Sequence, residues 1–260
     1  MLILASLLSI GVMAWAFDAI YTDGDEAGAE ADTIEIDQGD NDLVMGTEGD
    51  DAVDTGAGED VVFGDEGNDT IYGGTEGDLL LGGSDDDLLQ GAQGDDVLVG
   101  GDGVDTLIGN SGNDYIDGSS TMDVDALVAS LATAQTSADL DFVFDVSSLD
   151  TDDGDVIEGR GGNDALIMGS ADSVSGGDGL DEFAAGQWIR PGEPAIVEDY
   201  TAGDDIITYT FEGATPPTLT TSLDGATGDV TVFADGQEVI VVLGAGAAFD
   251  ENDILLLQYA

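Results

Sequence analysis

Residues 67–116 read GNDTIYGGTEGDLLLGGSDDDLLQGAQGDDVLVGGDGVDTLIGNSGNDYI, and one spacing runs through them and beyond on the N-terminal side. Every ninth residue is aspartate: Asp42, Asp51, Asp60, Asp69, Asp78, Asp87, Asp96, Asp105 and Asp114. Two residues after each comes an aliphatic side chain: Val44, Val53, Val62, Ile71, Leu80, Leu89, Leu98, Leu107 and Ile116. Four residues after each aspartate stands glycine, except at Thr55. Two residues before, glycine is replaced at Asp40, Glu76 and Asp85.

The unit is G-x-x-G-x-D-x-U-x, with U aliphatic. Its glycine-rich six residues favour a turn, and the remaining three make a very short strand with one inward side chain. One such side chain cannot bury itself locally, so units must stack as in a solenoid. Two units per coil predict an all-β fold, a parallel β-roll (β-solenoid), with an aliphatic ladder between two sheets and turns along both edges. Successive strands would lie about 4.8 Å apart. That spacing also stacks the aspartates, an arrangement strongly repulsive without a cation between them. Calcium suits it, taking carboxylate and carbonyl oxygens in flexible geometry, whereas magnesium prefers a small octahedral shell and keeps its waters. The chain has neither cysteine nor histidine, which argues against zinc, copper, haem and iron–sulfur sites.

The runs GDEGNDTIYGG, GAQGDDVLVGG and GNSGNDYIDG (from Gly64, Gly91 and Gly109) resemble the RTX, or hemolysin-type, calcium-binding nonapeptide repeats. The resemblance implies calcium ions between turns on the same edge of a roll, held by the repeat aspartates and by carbonyls of the turns. Carried over, the side-chain ligands in residues 32–118 are the nine aspartates above. Gly49, Gly58, Gly67, Gly94, Gly103 and Gly112 would offer backbone oxygens, and the turns with Glu76 or Asp85 depart from the pattern. A second block over residues 153–186 carries Asp155, Asp164, Asp172 and Asp181 with Ile157, Leu166, Val174 and Phe183. GRGGNDALI and GGDGLDEF match well and add Asp155, Asp164, Asp181, Gly162 and Gly179 as ligands. GSADSV is degraded and its register slips by one residue, which makes Asp172 a doubtful ligand. Upstream, Asp32 and Ile34 form a degenerate turn read as an N-terminal cap.

Between the blocks, residues 119–152 lose both glycines and period. TMDVDALVASLATAQ predicts a short helix with Leu127, Val128 and Leu131 on its apolar face, serving as a lid, a docking surface or a plain loop-out. Residues 187–260 turn to alternating strands. Ile196 to Tyr200, followed by Gly203, Asp205 and Ile207, resembles the serralysin-like region after the last repeats of RTX exoproteins, and Asp253 followed by Ile254 to Leu257 resembles their type I secretion signal. At the other end, residues 1–18 contain the uncharged stretch LILASLLSIGVMAWAF (2–17), expected to be a short apolar helix that anchors in a membrane, directs export or docks on the roll. Residues 19–31 read as an acidic linker.

Fifty-eight acidic residues face only Arg160 and Arg190, a formal charge of −56. That excludes nucleic acid as a direct partner and disfavours anionic membrane surfaces. Nine ions, seven in the first block and two in the second, would neutralise about eighteen charges and leave roughly −38. No HExxH, Ser-His-Asp set, cysteine nucleophile or phosphate-binding lysine loop is present. The expected protein is non-enzymatic, exported, folded by calcium outside the cytoplasm, and structural or interactive at or beyond the cell surface. Two alternatives stand beside it: a secreted hydrolase or polysaccharide-modifying enzyme with its site near Asp199, Asp204 and Asp205, and a surface adhesin that self-associates through the ends of the roll.

Overall fold

A computed structural model describes residues 19–22, 33–35, 39, 41–122, 149–151, 154–249 and 251–259. The helices expected in the N-terminal stretch and in the insertion lie outside these residues, as does Asp32. The first strands are β1 (Ala19–Thr22), β2 (Thr33–Glu35), β3 (Asp42–Met45), β4 (Ala52–Ala57), β5 (Val61–Glu66), β6 (Thr70–Thr75) and β7 (Leu79–Ser84). They continue through β8 (Leu88–Gln93), β9 (Val97–Asp102), β10 (Thr106–Ser111), β11 (Tyr115–Asp117), β12 (Val156–Gly161), β13 (Ala165–Ile167), β14 (Ser173–Asp178) and β15 (Glu182–Gly186). The C-terminal strands are β16 (Ala195–Val197), β17 (Ile206–Glu212), β18 (Leu219–Leu223), β19 (Val230–Ala234), β20 (Gln237–Val242) and β21 (Ile254–Tyr259).

Odd and even strands separate, as two units per coil require. The first sheet runs β1-β3-β5-β7-β9-β11-β13-β15-β17-β21, and the second runs β2-β4-β6-β8-β10-β12-β14-β16-β20-β19-β18. Pairing is parallel everywhere except between β18, β19 and β20. The register places aliphatic on aliphatic: Val44 on Val62, Ile71 on Leu89, Leu98 on Ile116. The whole ladder from Val44 to Phe183 is buried in one core, with Ile34 packed against its end.

The insertion leaves the stacking intact, because β11 pairs with β13 and β10 with β12. Both repeat blocks therefore belong to one solenoid. Its C-terminal strands continue the same two sheets, β16 on β14 and β17 on β15, before the antiparallel β18–β20 segment closes the second sheet. Ala19–Thr22, expected within the acidic linker, instead pairs with β3 at the far end of the first sheet. Main-chain pairing along that edge needs no particular side chains, so the linker's acidic composition concealed it.

Candidate metal centre

Each repeat aspartate stands just before its strand, or at its first residue in the case of Asp42, and is buried. Its Oδ1 accepts the backbone N–H of the aspartate one coil earlier. One file runs Asp42, Asp60, Asp78, Asp96, Asp114, Asp164, Asp181 and Asp205; the other runs Asp51, Asp69, Asp87, Asp105, Asp155 and Asp172. The N–H to Oδ1 distances are 2.7–3.2 Å. Partners are 18 residues apart in the first block and 50 apart across the insertion, with the same geometry. Beyond it the spacing falls to 17 for Asp155–Asp172 and Asp164–Asp181, which is how the fold absorbs the one-residue slip, and widens to 24 for Asp181–Asp205.

A second file lies on the exposed side of many of the turns, one residue before the aspartates. The N–H of Asn68, Asp86 and Val104 donate in turn to Oδ1 of Asp50, Asn68 and Asp86 (2.9–3.1 Å). Asn113, Asn163 and Leu180 do the same to Asp95, Asn113 and Asn163. Sequence reasoning passed over this position. Its signal is the enrichment in Asn and Asp just ahead of the repeat aspartate.

The other carboxylate oxygen carries the chemistry. Oδ2 of Asp60, Asp69, Asp78, Asp87, Asp96, Asp105, Asp114, Asp155, Asp164 and Asp181 is buried and meets no hydrogen-bond donor. It points back into its own turn. A β-carbon at Gly64 would collide with both Asp69 Oδ2 and the Gly82 carbonyl oxygen of the next coil, so these two oxygens face one small space. The same convergence occurs at Gly82, with Asp87 Oδ2 and the Gly100 carbonyl, and at Gly159, with Asp164 Oδ2 and the Gly176 carbonyl.

Three turns close on themselves instead. Thr47 N–H donates to Asp51 Oδ2 (2.7 Å), Thr201 N–H to Asp205 Oδ2 (2.6 Å), and Gly169 N–H to Asp172 Oδ2. Backbone conformation separates the two kinds of turn. Four residues ahead of a donor-less carboxylate the chain is usually left-handed, as at Gly56, Asp65, Ala92, Asn110 and Arg160; Thr47 and Thr201 are not. Asp51, expected among the ligands, thus differs from its neighbours in having its own turn's amide on Oδ2.

The glycines expected to offer backbone oxygens stack turn on turn. A β-carbon at Gly67 would strike the Gly49 carbonyl, one at Gly112 the Gly94 carbonyl, and ones at Gly162 and Gly179 the carbonyls of Gly112 and Gly162. Gly103 packs likewise on Asp85, while Gly58 is left-handed at the equivalent position. Glu76 and Asp85 keep a positive φ of 77°, against 119–147° for Gly67, Gly94, Gly103 and Gly112. Their turns are altered rather than lost.

Burial governs the acidity of the files. It pushes Asp69, Asp114 and Asp164 up to about 7, Asp78 and Asp87 to about 8, and Asp96 and Asp105 to about 6. The accepted backbone N–H opposes the rise, and neighbouring carboxylates add to it. Asp155 reaches about 9, with burial first and Asp172 next among the causes. Asp117 and Asp150 lie outside the nine-residue period yet are equally buried at the root of the insertion. Asp117 is raised to about 7 by burial, and Asp150 accepts N–H groups of Ser120 and Ser170.

Such an arrangement is what a hard divalent cation needs: buried anionic oxygens without donors, facing carbonyl oxygens of the adjacent turn. Among the described residues no three acidic side chains converge on one point, so turn carbonyls must complete each shell. The fold and these files define a calcium-binding β-roll. The sequence agrees: the family model of the RTX calcium-binding nonapeptide repeat (4 copies) matches residues 36–71, 72–107 and 90–120. The chain thus carries RTX repeats, which bind multiple structural Ca2+ ions.

No curated protein sequence matches the chain. Among solved structures, the AlgE6R3 subunit of the Azotobacter vinelandii mannuronan C5-epimerase aligns at 18% identity and a TM-score of 0.36, over 60% of this chain and 80% of that one. Extracellular lipase LipA from Serratia marcescens aligns at 17% identity and a TM-score of 0.29, over 78% of this chain and 41% of that one.

Proposed function

We propose that this is an exported protein whose roll assembles on calcium outside the cytoplasm and then serves a structural or interaction role at or beyond the cell surface. The observation that supports this reading is the pair of buried carboxylate files. At neutral pH they oppose folding unless a cation is supplied, and extracellular calcium is abundant where cytoplasmic calcium is not. The C-terminal strand β21 pairs with β17 and forms part of the first sheet. A secretion system that reads this segment must therefore do so before the roll closes, which a low-calcium cytoplasm permits. The ligands proposed are the ten donor-less aspartates with carbonyls of the facing turns; Asp51 contributes less than the others.

Fractionating producing cells tests the export reading. The full chain is expected in the medium, and a chain lacking residues 251–259 is expected to remain inside. Full-length protein confined to the cytoplasm would overturn the reading.

Self-association is a second reading, favoured by the end of the first sheet. There β21 has an open edge and carries exposed Leu255 and Leu257. Calcium-dependent sedimentation to species larger than one chain would support it. The hydrolase reading loses two of its three carboxylates to structural bonds. Asp199 accepts from Ser175 Oγ and from the N–H groups of Gly176 and Gly177, and Asp205 from those of Asp181 and Thr201.

A further inference from the structure

From Asp51 to Asp114 the residue five before each repeat aspartate is glycine, except that Asp60 has Thr55. The glycine has a steric reason. A β-carbon at Gly64, Gly73, Gly82, Gly91, Gly100 or Gly109 would collide with Oδ2 of the aspartate of its own turn. Where the next coil comes near, its carbonyl faces the same point, Gly82 O at Gly64 and Gly100 O at Gly82. The space beside the glycine is thus bounded by an anionic oxygen and a carbonyl oxygen, the pair that a hard cation needs. Thr55 puts a side chain into that space. It is buried, and its Oγ1 donates to the Gly73 carbonyl oxygen at 2.8 Å, with the Tyr72 carbonyl oxygen at 3.4 Å. Gly73 lies eighteen residues on, so its carbonyl is the counterpart of Gly82 O at Gly64.

The hydroxyl also stands beside Asp60. Burial raises that carboxyl, the Asp42 N–H opposes the rise, and the Thr55 hydroxyl opposes it next. Its single proton goes to the Gly73 carbonyl, which leaves Asp60 Oδ2 without a donor. The other turn of the same coil is closed as well. Strand β4 joins turn 46–51 to turn 55–60, and in the former Asp51 Oδ2 accepts the Thr47 N–H at 2.7 Å and the Thr47 hydroxyl at 3.1 Å. We propose that Thr55 shuts the cation position of turn 55–60, and that this coil, closed by a threonine at both edges, is held by hydrogen bonds where the following coils are held by calcium. The inference rests on the calcium reading above and narrows it by one turn. A hydroxyl on the carbonyl and a methyl-bearing β-carbon beside the carboxylate displace an ion that needs six to eight oxygens at about 2.3–2.6 Å. Thr55 is therefore a selectivity residue, setting which turns of its edge take an ion.

Native mass spectrometry of the full chain in saturating calcium, which resolves single bound ions, tests this. Thr55→Gly restores the glycine of the other turns and is expected to carry one calcium ion more than the natural chain. Thr55→Val keeps a branched side chain without the hydroxyl and is expected to carry the natural number. Adding Asp60→Asn to Thr55→Gly should return the count to the natural value, and circular dichroism in calcium checks that each variant keeps its β signal. An unchanged count in a folded Thr55→Gly chain, any change of count in Thr55→Val, or an extra ion that survives Asp60→Asn would each overturn the assignment. A natural chain that binds no calcium would instead sink the calcium reading beneath it.

Discussion

At the scale of single residues, the roll depends on which carboxylate oxygens lack a donor. Asp87 and Asp51 occupy the same file, yet Asp87 Oδ2 meets no donor and Asp51 Oδ2 holds the Thr47 amide. Asp87→Asn keeps an acceptor for the Asp69 N–H and removes an anionic oxygen from the calcium shell. It should weaken calcium-saturated stability by about 1–3 kcal/mol and raise the calcium midpoint, whereas Asp51→Asn should shift the midpoint far less. Calcium titrations of the two variants side by side check this, and equal shifts would contradict the distinction. Gly112 makes a second contrast. It is left-handed at φ 139° and lies against the Gly94 carbonyl. Alanine there meets that oxygen and takes on the left-handed penalty of roughly 1–2 kcal/mol. Gly112→Ala should therefore lower the thermal midpoint in saturating calcium, while Ala92→Gly, which relieves a left-handed alanine, should leave it unchanged or raise it.

The elements respond to pH through the same oxygens. In the metal-free roll, burial lifts Asp69, Asp78, Asp87, Asp96, Asp105, Asp114, Asp155 and Asp164 from an ordinary 3.8 to about 6–9. The folded chain then binds more protons than the unfolded one, so metal-free stability is greatest in acid and falls as pH rises through that window. In chelator, residual β signal should decline between about pH 5 and pH 8; in saturating calcium, where the oxygens are held as anions, it should not. A chelator signal that grows with pH would contradict the sign. Much of this was legible in the sequence, because a strict nine-residue period fixes the inward ladder from Val44 to Ile116 and its turn aspartates, and the same unit with one slip marks Ile157 to Phe183. Other features obey no period. Closure at Thr47 and Thr201 rests on backbone torsion, the exposed Asn and Asp ladder on main-chain hydrogen bonds, and the burial of Asp117 and Asp150 on where the insertion happens to root.

For the molecule as a whole, a formal charge of −56 makes compaction conditional. The two sheets stack ten and eleven strands, and the register crosses the insertion unbroken. Each coil supports the next, so folding is expected to be cooperative along the solenoid. Salt alone should not replace calcium: monovalent ions screen exposed charge but do not supply ligands to buried oxygens. Half-molar sodium chloride in chelator should leave the chain expanded, with a radius of gyration nearer the roughly 56 Å of an unfolded chain of this length than the roughly 18 Å of a compact one. Small-angle scattering reads the difference directly.

The central claim is that cations in the carboxylate files complete the fold, and far-ultraviolet circular dichroism during a calcium titration at pH 7.5 tests it most directly. The prediction is a disordered spectrum in excess chelator and a steep, cooperative rise of β signal, with a midpoint at about 10⁻⁴–10⁻³ M calcium. A full β spectrum persisting in chelator at that pH would contradict it.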